Sequence, residues 1–483
     1  MMTTLKNLWV REAELLSQVQ ALESSLADVR VHIAEMQGVN RNAITYNLPI
    51  ETLSAIFEIG LCESPFLATV PTRSGWFEDK WSPLPTPFEI VVSSVSRRWR
   101  NVALQTPRLW TRVYINVAQS AHELLDLYLR RSKMYPLDLT LSRRKLRWER
   151  DRDLADSDAR VLLEFKQYLE QLVPHVGRWR EFSVRRDDRA VQLSDALASL
   201  ASLNAPVLET LMLDGGCRSF RRVFSSGAPR LSSVELIGAT LWPPLETVKH
   251  LKLYPSYQFQ LSYAQFRHLI QPMRSLVNLH LQSSIVKESP ASHSPIDLPS
   301  VISLEIDIRS CPIDQGALHV LDLPLLETLT VRGNMDHVIK TFIHPPRSLY
   351  FNVRSLKVAD STEYVREAES PVATALEFIS LFPSVRSIAF HNVDPTHIFH
   401  ALHDCRSTDE LLWPQLSSVT VVPAKRVKVT YKKQVWADIV KLVGNRAQLG
   451  HAISSVKLPS EIVVRGTQRQ QQRLREQVTL IEC

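Results

Sequence analysis

A short aliphatic template recurs through the C-terminal part of this chain and limits its fold more than any other feature. The template is Leu-x-x-Leu-x-Leu, with other aliphatic residues allowed at each position, and neighbouring copies start 17 to 37 residues apart. The clear copies start at Leu208, Leu231, Val248, Leu276, Val301, Leu326, Val353, Val385 and Leu416, and weaker copies start at Trp179 and Ile453. A Pro stands two residues ahead of the first aliphatic residue at Pro206, Pro229, Pro299, Pro324, Pro383 and Pro414.

Each copy of the template predicts a turn followed by a short strand. The last two aliphatic residues are two positions apart, so on a strand they point to the same face, and the first one anchors the turn that leads in. A single copy cannot bury its own apolar face, so we expect the copies to stack into a solenoid with a shared core. The alternative is a set of ordinary strands in a compact α/β domain.

The template resembles that of leucine-rich repeats, with one departure. Such repeats carry an Asn eight residues after the first aliphatic residue, and its amide satisfies main-chain groups of the turn. Here only Asn334 stands at that position. Helices or water would have to satisfy those main-chain groups instead. The resemblance therefore implies an irregular, locally variable repeat arc.

The N-terminal segment carries an apolar heptad pattern over residues 5–36. Two sets of apolar residues alternate at steps of three and four, which is typical of a coiled coil. The sets are Leu8, Leu15, Leu22, Val29 and Met36, and Leu5, Val19, Leu26 and Ile33, with Glu12 as the one polar interruption. Two interpretations stay open, namely a helix that packs back on its own domain and a homodimer through this seam.

Residues 46–118 predict a small helical unit with more apolar side chains than it can cover. Its first helix repeats apolar residues at Leu53, Ile56 and Phe57, and Pro49 suits the opening turn,. Five prolines between residues 61 and 87 predict an irregular insertion. A second helix is expected to carry one apolar face and to end near Thr106, before a Pro. Its apolar face consists of Val91, Val95, Trp99 and Val102.

The sequence lacks the motifs of common catalytic sites. It contains no phosphate-binding glycine loop and no G-x-S-x-G motif,. His397, His400 and His403 could share one side of a helix, and we interpret them as a solvated polar face rather than a metal site. We therefore expect no catalytic residue, metal or cofactor, and we do not classify the chain as an enzyme.

Bulk composition favours an intracellular protein that works with protein partners. The net charge is only +7 over 483 residues, without a concentrated basic stripe, so we do not expect nucleic acid as the main ligand. No apolar run is long enough for a transmembrane helix, and no secretory signal is recognisable. The five cysteines are scattered, which favours a reducing compartment,. We expect a cytoplasmic or nuclear location, or both, and no membrane partner.

The compact unit resembles the F-box, in particular the F-box-like domains common in mushroom-forming fungi. The matching residues are Leu48-Pro49, Glu51, Leu53, Ile56-Phe57, Val95-Ser96-Arg97-Arg98-Trp99-Arg100, Val102-Ala103, Thr106-Pro107 and Leu109-Trp110. Ser96 stands where that family often has Cys. The heptad segment before this unit and the degenerate repeats after it also resemble this group.

The resemblance implies a substrate-recognition subunit of a cullin–RING (SCF-type) ubiquitin ligase. The F-box would bind a Skp-type adaptor, and the repeats would bind a protein substrate of unknown identity. The residues that would supply or support the adaptor face are Leu48, Pro49, Leu53, Ile56, Phe57, Val95 and Trp99. Among these we expect Val95 and Trp99 to belong to the core of the bundle. The alternative is a leucine-rich-repeat scaffold that binds partners without a ligase role.

The predicted architecture is mainly α/β in five parts. These are a coiled-coil helix at 1–45, the F-box-like domain at 46–118 with a Pro-rich insertion at 61–87, a connecting region and solenoid entry at 119–200, the solenoid at 201–460, and a basic, frayed Gln/Arg-rich tail at 461–483. Candidate substrate-binding residues alternate with the aliphatic positions on the predicted strands. They are His250, Lys252, Tyr254, His280, Glu305, Asp307, Arg332 and Lys357.

Overall fold

The chain contains both helices and strands, which confirms the mixed α/β class. The computed structural model describes residues 2–42, 48–63, 86–117, 122–143, 154–186, 193–214, 221–238, 241–254, 260–287, 294–308, 317–343, 350–360, 372–403, 411–423 and 429–482. Most of the predicted Pro-rich insertion at 61–87 therefore lies outside the described residues. The chain divides into two compact units, Met1–Thr111 with Leu127–Tyr135, and Arg112–Asp126 with Pro136–Cys483.

The first unit is helical. Its elements are α1 (Met2–Asn42), α2 (Ile50–Glu63), α3 (Phe88–Val95), α4 (Arg97–Gln105), a 3-10 turn at Pro107–Trp110 and the second part of α5 (His122–Arg131). The buried side chains of α2 are Leu53, Phe57 and Leu61. Their spacing of four places them on one side of the helix, which forms the core of the unit.

The second predicted helix of this unit is in fact two helices that meet at Ser96. Ser96 has an extended backbone, with φ −156° and ψ 166°, and its hydroxyl accepts a hydrogen bond from the Trp99 amide at 3.1 Å. Serine is among the best N-cap residues because it satisfies one of the unpaired first-turn amides. The continuous helix that we expected from Val91 to Val102 is therefore wrong, whereas its predicted end before Pro107 is confirmed.

The described side chains of α1, from Trp9 to Met36, are exposed. Within the heptad seam, Leu22 is 70% exposed and Leu26 is 51% exposed. The interpretation in which this part of the seam packs on its own domain is therefore wrong. The homodimer stays a prediction.

In the second unit, fourteen of the described strands form one sheet in which all neighbours are parallel and spatial order equals chain order. Two further pairs of short strands, β5 with β7 and β10 with β12, also run parallel. In chain order the strands are β1 (Arg112–Asn116), β2 (Leu137–Arg143), β3 (Trp179–Arg186), β4 (Thr210–Asp214), β5 (Arg221–Arg222), β6 (Ser233–Ile237), β7 (Leu241–Trp242), β8 (His250–Tyr254), β9 (Asn278–Gln282), β10 (Ile296–Asp297), β11 (Ser303–Asp307), β12 (Leu321–Asp322), β13 (Thr328–Arg332), β14 (Ser355–Ala359), β15 (Ser387–His391), β16 (Ser418–Val422), β17 (Ser455–Leu458) and β18 (Thr479–Glu482).

Helices occupy many of the connections between the strands of the large sheet. They are α6 (Leu154–Leu172), α7 (Ser194–Leu197), α8 (Tyr263–Ile270), α9 (Met335–Ile343), α10 (Val372–Ser380), α11 (Thr396–His403), α12 (Val429–Gln448), α13 (Ser460–Val463) and α14 (Gln468–Gln477). The Phe399 ring of α11 lies 5.7 Å from the ring of Phe390, a buried residue of β15. The core therefore includes side chains from both the strands and the connecting helices.

Each clear template copy forms the predicted turn and strand. In the first clear copy, the Leu208 amide donates to the Ala205 carbonyl, and Pro206 occupies the second position of that turn. Proline favours this position because its fixed φ matches the turn. Leu211 and Leu213 are then buried on β4, and Met212 between them is half-buried. The same turn bond recurs at Leu231, Val301, Leu326, Val353, Val385 and Leu416.

Main-chain groups bond from repeat to repeat without an Asn ladder. The carbonyl of Glu209 accepts from the amides of Ser232 and Ser233, and the Ser232 carbonyl accepts from the amides of Lys249 and His250. The same pattern, in which one carbonyl accepts hydrogen bonds from two consecutive amides, continues through the copies up to the amides of Ser454 and Ser455. These bonds lie at the start of each strand, whereas the missing Asn would serve the turn after the strand, so the expectation of helices or water at that turn stays a prediction. Asn334 instead accepts from the His337 amide at 2.8 Å and so supports the first turn of α9.

The predicted frayed tail is wrong, because residues 460–482 are folded. Strand β18 extends the large sheet by pairing with β17, and Leu474 of α14 is only 1% exposed. Thr467 and Gln470 form a capping box at the start of α14,. A Cβ atom on Gly466 would lie 2.3 Å from the Trp436 ring, so the chain can approach α12 closely only with glycine at this position.

Candidate functional site

Helix α2 of the first unit is apolar on two opposite sides. Leu53 and Phe57 are each 1% exposed and face the core, whereas Ile56 is 45% and Ile59 is 60% exposed. A helix that is apolar all round is normally covered on all sides. The inner side is covered within the unit and the outer side is not. Leu53 and Phe57 are therefore too buried to contact a partner directly. Of their two predicted roles, supplying or supporting the adaptor face, only the supporting role fits their burial.

Helix α3 adds a second pair of exposed aliphatic side chains. Val91 is 46% and Val95 is 58% exposed, at a helical spacing of four. The expectation that Val95 belongs to the core is wrong, because the helix break at Ser96 separates it from the buried face of α4. Trp99 is half-buried, with its ring 5.0 Å from that of Phe57. We call Ile56, Ile59, Val91 and Val95 the outer apolar set.

Close contacts hold α2 against the helices that follow it. A Cβ atom on Gly60 would lie 2.5 Å from the Phe88 ring, so this glycine allows α3 to pack directly on α2. The Ser54 hydroxyl donates to Thr106 Oγ1 at 2.7 Å, since Thr106 itself donates to the Val102 carbonyl. These contacts fix the direction in which α2 presents its outer side.

Leu48 and Pro49 lie at the entrance to α2. Leu48 is half-buried and Pro49 is exposed, and the Pro49 carbonyl accepts the Leu53 amide at 3.0 Å as the first bond of the helix. The Arg98 guanidinium donates to the Leu48 carbonyl. No signal in the sequence pointed to this long-range bond. Arg98 is therefore an additional positioning residue for the Leu48-Pro49 segment.

The sheet of the second unit brings four of the eight predicted substrate-binding residues side by side. Lys252, His280, Glu305 and Lys357 stand at the same position on neighbouring strands, with Thr330 of β13 between the last two. Adjacent strands lie about 4.8 Å apart. These side chains therefore form one continuous row along the sheet.

Residues along this row are largely paired with one another. Lys252 Nζ lies 3.4 Å from Glu235 Oε2, and His280 Nδ1 lies 3.4 Å from Glu305 Oε2. Arg332 forms an ion pair with the same Glu305. Among the remaining predicted residues, Arg332 and Tyr254 contact the row, whereas His250 contacts Asn278. The Tyr254 ring packs 5.1 Å from the His280 ring, and Asn278 Nδ2 lies 2.7 Å from His250 Nδ1.

Two members of the predicted set differ in accessibility from the rest. Burial lowers the pKa of His280, and Arg332 opposes the attraction of Glu305 for a proton on that ring. His280 is therefore neutral in the folded chain at neutral pH. Asp307 is only 9% exposed at the end of β11, so its predicted contact with a substrate is wrong.

The histidines of α11 pack against α12. His403 Nε2 donates to the Asp438 carbonyl at 2.9 Å, and His400 Nε2 lies 3.8 Å from Asp438 Oδ1. His403 is 7% exposed, so the predicted solvated face does not include it. Within the described ranges, no three His, Cys, Asp or Glu side chains converge in a way that could hold a metal ion.

Comparisons with known proteins gave no match: no protein-family model matches the chain, and no curated protein matches it. In the part of the chain that the structure describes, none of the helices combines the length and the apolar character that crossing a membrane requires.

Proposed function

We propose that this chain is a substrate-recognition subunit of a cullin–RING ubiquitin ligase of the SCF type. In this proposal the first unit is an F-box-like domain that binds a Skp-type adaptor, and the second unit binds a protein target. The chain itself performs no chemistry. It contributes proximity and orientation between its target and the catalytic subunits.

The observation that carries the proposal is the exposed outer side of α2. Ile56 and Ile59 lie within the F-box-like motif, on the side opposite the core residues Leu53 and Phe57. Exposed aliphatic side chains grouped on a small domain are typical of a protein interface. Val91 and Val95 of α3 extend the apolar area available to an adaptor. Leu48 and Pro49 are held in position by Arg98 and complete the proposed docking surface.

A binding experiment with a purified Skp-type adaptor tests this proposal. The variant Ile56→Asp/Ile59→Asp places two charges on the outer side of α2 without touching the core. We expect wild-type protein to bind the adaptor and this variant to bind at least about tenfold more weakly, because buried unpaired charges are costly. Isothermal titration calorimetry measures both dissociation constants.

The matched control is Leu325→Asp, which charges an exposed aliphatic residue of the second unit. Leu325 is 55% exposed, close to the exposure of Ile59, and this variant should bind the adaptor as wild type does. If the wild-type chain does not bind the adaptor, the ligase role is lost. The scaffold without a ligase role would then be the better proposal, since the paired polar row of the sheet does not depend on the adaptor surface.

We also propose that the large sheet belongs to an irregular leucine-rich-repeat-like solenoid. Three regular features support this proposal, namely the order of the strands, the turn at the first aliphatic residue and the repeated pairs of main-chain hydrogen bonds to one carbonyl. In an array of this kind each repeat contacts only the repeats next to it along the chain. The residues at one strand position of successive repeats therefore form a long surface. That surface is where we propose that the target binds.

Self-association through residues 5–36 is the remaining part of the proposal. The exposed seam of α1 suits a second copy of the chain, and Glu12 is the one polar residue among its heptad positions. Leu22→Asp should convert a dimer to a monomer, whereas Gln20→Asp, outside the seam, should not. Light scattering coupled to size-exclusion chromatography measures the mass. A monomeric wild-type chain at micromolar concentration would contradict this part.

A further inference from the structure

The C-terminal part of the sheet carries lysines that are separated by small side chains. Lys357, Ala389, Thr420 and Lys457 stand at the same position on β14, β15, β16 and β17. Three strand spacings of about 4.8 Å separate the two lysines, so their Cα atoms lie about 14 Å apart. Lys457 belongs to the weak template copy that starts at Ile453, where its position in the template could have identified it.

Two other cations of the same face have carboxylate partners. Lys252 pairs with Glu235, and Arg332 pairs with Glu305. Among the described residues, no carboxylate lies within ion-pair distance of Lys357 or Lys457. This part of the sheet therefore differs from the self-paired row between β6 and β13.

His391 lies at the edge of the same area, at the end of β15. Burial lowers its pKa, and the nearby positive charges of Lys357, Lys457 and Arg332 lower it further. Lys357 and Lys457 therefore place two positive charges near this ring, on the strands to either side of it. A surface of this kind attracts negative charge.

We propose that the surface formed by Lys357, His391 and Lys457, with Ala389 and Thr420 between the lysines, binds an extended acidic segment of a protein partner. An extended peptide advances about 3.3 Å per residue, so a span of about 14 Å matches two carboxylates about four residues apart. The small Ala389 and Thr420 side chains leave room for the peptide backbone between the two contacts.

The neighbouring strand favours a peptide over a nucleic acid. Ile481 of β18 is in register with Lys457 and is 45% exposed, so an apolar side chain just beyond the second carboxylate has a contact. The equivalent positions on β14–β17 carry no aromatic ring on which a base could stack,. The role of this surface in selecting a ligase target rests on the proposed function, whereas the binding itself does not.

Fluorescence anisotropy with labelled synthetic peptides tests the inference on the full chain. The probe, called the Glu peptide, is a Gly/Ser peptide with two Glu residues about four positions apart and a Leu beyond the second. The control, called the Gln peptide, has Gln in place of both Glu residues. We expect the Glu peptide to bind wild-type protein at low salt. It should bind Lys357→Ala/Lys457→Ala about tenfold more weakly. The Gln peptide should bind at least about tenfold more weakly than the Glu peptide.

Lys249→Ala/Lys340→Ala is the matched control, because it removes two exposed lysines of the same unit that lie outside the row of strand residues. It should bind the Glu peptide as wild type does, and equal losses in both double variants would reduce the effect to net charge and overturn the inference. Equal affinity for the Glu and Gln peptides would overturn it too. Tighter binding of a labelled oligothymidylate than of the Glu peptide would replace the peptide with a nucleic acid.

The same variant separates this inference from the ligase proposal. Lys357→Ala/Lys457→Ala should bind the Skp-type adaptor as wild type does, since both lysines lie in the second unit. A chain that binds the Glu peptide but no adaptor would keep the acidic-segment surface and lose the ligase role. A chain that binds the adaptor but does not prefer the Glu peptide would do the opposite.

Discussion

The two units of this protein differ in the chemistry of the side chains that they expose. The first unit buries one side of α2 and leaves a second apolar side in contact with water, with Ile59 60% exposed. The second unit buries its aliphatic residues on regular strands and turns charged side chains outward, where many pair with one another. Apolar and polar surfaces favour different partners. In the proposed function, the two surfaces would therefore suit two partners of different chemistry.

The largest expected effect concerns the two sides of α2. Phe57→Ala should destabilise the first unit by about 3–5 kcal/mol, because it removes a buried ring that packs on Trp99,. Ile56→Ala, one residue away, should change stability by less than about 1 kcal/mol. Hydrogen exchange of peptides that cover α2 measures both variants in the full chain. Similar effects of the two substitutions would remove the distinction between an inner and an outer side.

The next effect concerns the folded C-terminal segment. Leu474→Ala should destabilise the second unit by about 2–4 kcal/mol, because Leu474 is 1% exposed in α14,. The control Gln472→Ala changes an exposed-side residue of the same helix and should stay within about 0.5 kcal/mol of wild type. Urea unfolding measures both. An unfolding midpoint of Leu474→Ala equal to that of wild type would return this segment to a frayed tail.

The smallest effect is a pH dependence in the second unit. Burial lowers the pKa of His403 from its ordinary value near 6.5, so the folded chain keeps this ring neutral at a pH where the unfolded chain binds a proton. Its Nδ1 is buried and has no hydrogen-bond partner among the described residues, so a proton there would be unpaired. Stability should therefore fall as the pH drops through and below 6.5.

Thermal unfolding of wild type and His403→Gln at pH 7.5 and pH 5.5 measures this contribution. The wild-type chain should lose more stability between the two pH values than the variant does. His268→Gln, at an exposed position of α8, should stay near wild type at each pH. A variant that loses as much stability as wild type on acidification would exclude His403 as a source of the pH dependence.

The regular part of the fold could be predicted from the sequence because the same aliphatic pattern recurs many times along the chain. The aliphatic alternation predicted the strands, and the prolines before it predicted the turns that the Leu208 amide and its equivalents close. The folded C-terminal segment also had a signal, since Thr467 and Gln470 have the spacing of a capping box,. Composition alone suggested a frayed tail and overrode that signal.

The first unit was harder to predict because its decisive contacts are long-range. Periodicity cannot tell Phe57 from Ile56 as the buried residue when a helix carries apolar residues on two sides. The exposure of Val95 depends on the helix break at Ser96, where one hydroxyl starts a new helix. The bond from Arg98 to the Leu48 carbonyl joins residues 50 positions apart. No local pattern carries information of this kind.

The order of the strands has a consequence for the synthesis of the chain. Each strand of the large sheet pairs with the preceding strand of that sheet along the chain, so a new strand can join the sheet soon after it leaves the ribosome. Contacts close in sequence form quickly, and growth of this kind need not wait for distant residues. A chain that ends early would keep its first strands paired and expose the edge of its last one. That open edge would be prone to pair with another chain, so premature termination should lead to aggregation rather than to a smaller soluble protein.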